Sequence, residues 1–215
     1  MAKDFTTYNL KDALSKAVDS GKADFNETVE VHINCSLDVK KPEQSLRVTT
    51  TLPHGTGKEL KVAVFSSKKA ENADLELTEA DLKKIEKGEI KPGTDFDILI
   101  SEPQMMPKLA QVARVLGPAG VMPNPKNGTV TDDPAKAVEQ FKKGKIEIRT
   151  EQSHPLIHTV IGKQEFELNK LVDNFNEVWT TIKSNKPAKA KPTWINSVYV
   201  CTSMGKSFAV DLNSI

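Results

Sequence analysis

The segment Ser203-Met204-Gly205-Lys206 puts a hydroxyl, a flexible thioether, a bare backbone and an ammonium on four consecutive residues. Such a set can meet a folded polynucleotide. The hydroxyl can bond a ribose 2′-OH, the thioether can pack on a base or ribose, and glycine lets a sugar-phosphate backbone approach. The same residues also describe an ordinary hairpin turn. Lys183, Lys186, Lys189, Lys191 and Lys206 fall within residues 180–206, a stretch without a carboxylate. That run reads either as a solvated loop around Pro187 and Pro192 or as a phosphate-facing patch. Each neutralised phosphate would steepen the log–log salt dependence of binding by about 0.9 on duplex DNA and about 0.7 on single strands. The arginines are Arg47, Arg114 and Arg149, so lysine must supply most phosphate contacts. Lys22, Arg149 and Lys163 are further cationic candidates.

Other chemistries fit less well. The net charge of +1 is low for a protein that binds nucleic acid, so placement of charge counts for more than its sum. Gly55-Thr56-Gly57-Lys58-Glu59 lacks the leading glycine and trailing hydroxyl of a phosphate-binding P-loop, and Gly205-Lys206-Ser207 lacks the leading glycine. Cys35 and Cys201 form no CxxC pair and read as two buried thiols in a reducing compartment. His154 and His158 stand four apart, but Pro155 lies between them and no acidic or thiol partner is evident, so no metal site or cofactor is expected. No apolar run approaches membrane-spanning length, and the first ten residues lack the apolar stretch of a secretion signal. A cytoplasmic location and no membrane partner are expected.

The elements that must position these residues follow from periodicity. Leu10 to Val18 has helical spacing, Thr28 to Ile33 alternates as a half-buried strand, and Leu46 to Leu52 reads as another strand. Lys61–Phe65, Asp74–Leu77 and Phe96–Ile100 read as strands. Between and after them come helices over Glu79–Lys87, capped by Thr78 with Asp81, over Pro103–Leu116, and from Asp133 to Lys143. Ile146–Arg149 alternates again, Phe166–Asn185 is helical, and Ile195–Thr202 and Ser207–Asp211 read as strands. Strands alternating with helices in the middle imply a parallel, Rossmann-like α/β domain over 57–146. Residues 1–56 and 147–215 would join as an α+β domain with an antiparallel sheet. Glycines at the crossings, near Gly55–Lys58 and Gly144–Glu147, are what a hinge could use.

Leu116 to Val130 holds three prolines and three glycines in fifteen residues, which rules out a continuous helix or ladder strand. It specifies one loop shape, either a tight helix-to-strand connection or a functional loop. The string Gly117-Pro118-Ala119-Gly120-Val121-Met122-Pro123-Asn124-Pro125-Lys126, followed by Gly128-Thr129-Val130, resembles the signature of the large-subunit ribosomal protein L-one family. Met122 looks exposed within it. Leu52–Lys58, Ile157–Lys163 and Thr202–Gly205 are similar to that family too, in order and spacing, over nearly the whole chain. Ala119 stands where a basic residue is usual, and Ser203 where threonine is usual.

The resemblance implies a non-enzymatic constituent of the large ribosomal subunit. It would be monomeric when free, bind large-subunit rRNA beside other ribosomal components, and form a mobile stalk that aids release of exit-site tRNA. Repression of its own operon mRNA is also implied. It further implies that Phe25, Glu27, Thr28 and His158 face RNA with Ser203, Met204 and Gly205, the Glu27 carboxylate accepting from a 2′-OH or a guanine edge. Read without the resemblance, Phe25 is first a core aromatic, and His158 is equally a histidine at the domain interface. The alternative of another class is an enzyme that binds a nucleotide in the Rossmann-like domain.

Overall fold

A computed structural model describes residues 6–38, 40–66, 72–151 and 153–215. In chain order the elements are β1 (Thr7–Tyr8), α1 (Leu10–Ser20), β2 (Thr28–Cys35), β3 (Arg47–Thr51), β4 (Val62–Phe65), β5 (Leu75–Glu76), α2 (Glu79–Lys87) and β6 (Ile98–Ser101). There follow α3 (Met106–Leu109), α4 (Ala113–Leu116), α5 (Pro134–Lys142), β7 (Lys145–Arg149), β8 (Leu156–Lys163), α6 (Leu168–Ser184), β9 (Ile195–Thr202) and β10 (Phe208–Val210). By internal contacts the chain divides into two units, Met1–Lys58 with Ile146–Ile215, and Glu59–Lys145.

In the first unit a five-stranded sheet runs β1-β10-β9-β2-β8, with β3 and β7 paired separately. The sheet is mixed, because β1 joins β10 in parallel while the remaining pairs are antiparallel. A two-residue strand is too short to show periodicity, so sequence gave no sign of it. Alternation sends Val29, Val31 and Ile33 of β2, Ile157 and Ile161 of β8, and Val198 and Val200 of β9 inward. They meet Leu10, Ala13, Leu14 and Ala17 of α1 and Leu171, Phe175, Val178 and Ile182 of α6 in one core. Each such large side chain contributes about 1.5–3 kcal/mol of transfer free energy. Asn9 caps α1 by accepting the Asp12 N–H at 2.9 Å. Asn174 of α6 is wholly buried and anchors the Leu52–Lys58 loop. Its amide donates to Gly55 O at 3.0 Å and Ile161 O at 2.7 Å, and its oxygen accepts the His54 N–H.

The second unit centres on a parallel sheet ordered β5-β4-β6, which Val130 extends through a parallel bridge to Ser101. Both faces are covered, which explains the uninterrupted apolar run of β4. Ala63 and Phe65 join Leu82, Ile85, Leu109 and Leu116 on one side, while Val62 and Val64 meet Ala137, Val138 and Phe141 of α5 on the other. The Lys84 ammonium, followed by the hydroxyl and N–H of Thr78, donates to Asp81, and these bonds hold its carboxyl down at about 2. The segment 103–116, expected as one helix, alternates 3-10 and α turns. Pro107 lacks the N–H that an α-helical bond to Pro103 O needs, which accounts for the first break. No local residue explains the second.

Candidate nucleic-acid interface

The end of the five-stranded sheet where β2 begins and β8 and β9 finish gathers most of the residues expected to face RNA. Thr28 pairs with Lys163, and Val29 with Thr202. The turn after β9 is then tied to the start of β2: Ser203 N–H donates to Thr28 O at 3.0 Å, and Thr28 N–H donates to Ser203 Oγ at 3.2 Å. The C-terminal end of α1 arrives at the same place, with Ser20 Oγ accepting the Lys206 N–H at 2.9 Å.

Glu27 organises the junction. Its side chain is fully buried, with Oε1 accepting the Ala23 N–H at 3.0 Å and Oε2 the Met204 N–H at 2.8 Å. These two backbone bonds, Ala23 first, hold its carboxyl below the ordinary carboxylate range. This corrects the expectation that the carboxylate itself meets RNA, since both oxygens are engaged by the protein. Its effect is to clamp the loop 21–27 to the Met204 turn. Gly205 also has an internal reason: a Cβ there would stand 2.1 Å from Thr202 Oγ1 and 2.6 Å from Ser20 Oγ. Lys163 is partly committed, its ammonium donating to Thr28 Oγ1 at 2.9 Å and Asn26 O at 3.4 Å.

On this clamped base, two apolar side chains point outward. Phe25 is 57% exposed and Met204 is 74% exposed, the large hydrophobic residues left exposed among those described. Phe25 is therefore not a core aromatic. Lys22 and Lys206 are exposed on the same two loops. Exposed apolar side chains and ammonium groups on two loops joined in this way suit unstacked bases and phosphates.

The sequence profile of the Ribosomal protein L1p/L10e family matches residues 14–206. The chain belongs to that family. Relatives named large ribosomal subunit protein uL1 are 42% identical in Prochlorococcus marinus (strain MIT 9515) and in Synechococcus sp. (strain WH7803), each match covering 97% of this chain and 89% of the relative. A relative named large ribosomal subunit protein uL1c, from Trieres chinensis, is 39% identical over 98% of this chain and 92% of its own length.

Within this L1p/L10e chain the remaining predicted residues fall elsewhere. His158 lies five residues before Lys163 on β8, about 16 Å along an extended strand, and its Nδ1 is 2.6 Å from His32 Nδ1. Arg149, at the end of β7, is exposed, and its neighbour Thr150 bridges Ile157 near the start of β8, the end of that strand opposite Lys163. The five lysines of 180–206 are not one patch. Lys183 lies 4.5 Å over the Trp179 ring, Lys189 pairs with Glu43, and the loop bearing Lys186 and Lys191 precedes β9, whereas Lys206 follows it. Cys201 is half-exposed, not buried, while Cys35 is buried and its thiol pushed up to about 12.

The signature loop belongs to the second unit. Gly117, Pro118, Ala119 and Gly120 are exposed, as are Pro125 and Lys126. Met122, expected to be exposed, is half-buried against the core that holds Leu109 and Leu116, and Pro123 is buried. Asn124 shapes the loop: its side chain accepts the Lys126 N–H at 2.9 Å and its own N–H donates to Thr129 Oγ1 at 2.7 Å. Gly120 and Gly128 take positive φ, 74° and 68°. No described helix is long and apolar enough to cross a membrane.

Proposed function

We propose that this chain is a structural constituent of the large ribosomal subunit that binds folded large-subunit rRNA through the Phe25–Met204 end of its first unit. The observation that carries the reading is that two exposed apolar side chains stand on loops clamped together by one buried carboxylate. A rigid apolar pair needs little ordering when it meets unstacked bases, so more of the contact energy appears as affinity. Lys22 and Lys206 supply phosphate contacts, and Lys163 and Ser203 hold the geometry. The second unit is the mobile body. Gly57 and Gly144, with φ of 72° and 98°, flank the crossings and form its hinge.

Stalk movement that releases exit-site tRNA, and repression through an RNA fold in the chain's own message, follow as further parts of this reading. The test of the main claim is whether the purified chain co-sediments with large subunits lacking it and protects one rRNA segment from cleavage. Sedimentation apart from the subunits would refute it. For repression, a reporter fused to the message leader should fall in translation with excess chain, and unchanged output would refute that part.

A further inference from the structure

We propose that Glu30, His32 and Cys201 form a binding site for one thiophilic divalent cation of the zinc class, on the face of the five-stranded sheet opposite α1 and α6. Neighbours two apart on a strand share a face, so β2 presents Glu30 and His32 together. The β2–β9 register sets Cys201 directly across from Glu30. One ligand atom from each residue lies within 4.8 Å of the other two. His32 Nε2 is 3.1 Å from Cys201 Sγ and 3.7 Å from Glu30 Oε2. A zinc ion with bonds of about 2.0–2.3 Å to nitrogen, oxygen and sulfur at tetrahedral angles separates its ligands by roughly 3.3–3.8 Å. Small side-chain adjustments therefore suffice.

The surroundings orient the imidazole. The 2.6 Å contact between His32 Nδ1 and His158 Nδ1 requires a proton on one of them. With that proton on His32, its Nε2 lone pair faces Cys201 and Glu30, and His158 carries its own proton on Nε2, 3.5 Å from Glu151 Oε1. This is the partner arrangement that fixes the tautomer of a metal-binding histidine. Thiolate and carboxylate together balance a dication. One thiolate, one imidazole and one carboxylate favour zinc, cobalt or similar ions over magnesium or calcium, which select oxygen ligands. The Cys201 S–H proton leaves to solvent as the sulfur–metal bond forms, and the fourth position takes water. This site stands independently of the RNA reading.

The test uses the full chain, chelator-treated and reduced, titrated with Co²⁺ under inert gas. A thiolate-to-cobalt charge-transfer band should saturate near one equivalent and vanish on adding Zn²⁺. Cys201→Ser should abolish it, and His158→Phe, which removes only the orienting partner, should weaken cobalt affinity about tenfold or more. A second readout needs no variant. One equivalent of Zn²⁺ should slow reaction of Cys201 with a thiol reagent at least tenfold, reversibly with chelator, Cys35 being buried and silent. Absence of the band, its persistence in Cys201→Ser, or an unchanged thiol rate would overturn the proposal.

Discussion

Two methionine-bearing turns of this chain resemble one another as sequence and differ as structure. Met204 sits between a hydroxyl and a glycine, and Met122 sits in a run of glycine and proline. Met204 is 74% exposed above a backbone tied by Glu27, Thr28 and Ser20. Met122 is half-buried against the core of its own unit, in a loop whose polar groups bond one another. A strongly specified loop is thus not itself evidence of a contact surface. What marks the Met204 turn as one is that its polar groups are satisfied internally while its apolar group is left in water.

The sharpest way to break this contrast is to place a charge at each methionine. Met204→Asp should lower affinity for large-subunit rRNA by about ten- to a hundredfold, the cost of losing one base contact of about 1–3 kcal/mol. Its thermal stability should hardly change. Met122→Asp should do the reverse, costing about 1–3 kcal/mol in urea unfolding of its unit with RNA affinity of the folded chain unchanged. Equal effects in both assays would erase the distinction.

Gly205→Ala comes next. The added Cβ meets Thr202 and Ser20, so filter binding should show weaker RNA affinity together with a lowered melting temperature. Glu27→Gln should loosen the clamp with a defined pH signature. The carboxyl is depressed in the folded chain, so its stabilisation is present above its ordinary value of 4.5 and is lost as pH falls through the lowered folded value. Urea midpoints of parent and variant should therefore differ at pH 7 and draw together as pH falls below 4.5. A constant gap would mean that the charge is not what holds the turn. Smallest of all, Lys206→Ala and Lys22→Ala should each reduce the salt slope of RNA binding by about 0.7–0.9 while leaving the fold intact.

Much of this was legible in sequence where one face of an element is apolar. The capping pair Thr78–Asp81, the run 62–65 and the stripe of α6 announced their elements. β8 was harder to read as a strand, because Thr159, which is buried, interrupts the apolar alternation of Ile157 and Ile161. At the candidate site, Ser203 and Met204 stood out by residue type and by family resemblance, and Phe25 by family resemblance alone. The inward turn of Glu27 was not, since a lone glutamate before a strand gives no sign of the amides that converge on it. Nor was the company of His32: Glu30 and Cys201 are 171 residues apart and meet only through the β2–β9 register. Asn174 likewise looks like an ordinary helix residue until the loop it anchors is in place.

Methionine oxidation read by mass spectrometry tests the central claim without substituting a residue. With peroxide in the absence of RNA, Met204 should oxidise faster than Met122, in keeping with their exposure. Saturating large-subunit rRNA should suppress oxidation of Met204 at least tenfold and leave Met122 unchanged. Undiminished oxidation of Met204 in the saturated complex would show that the polynucleotide does not sit on this turn.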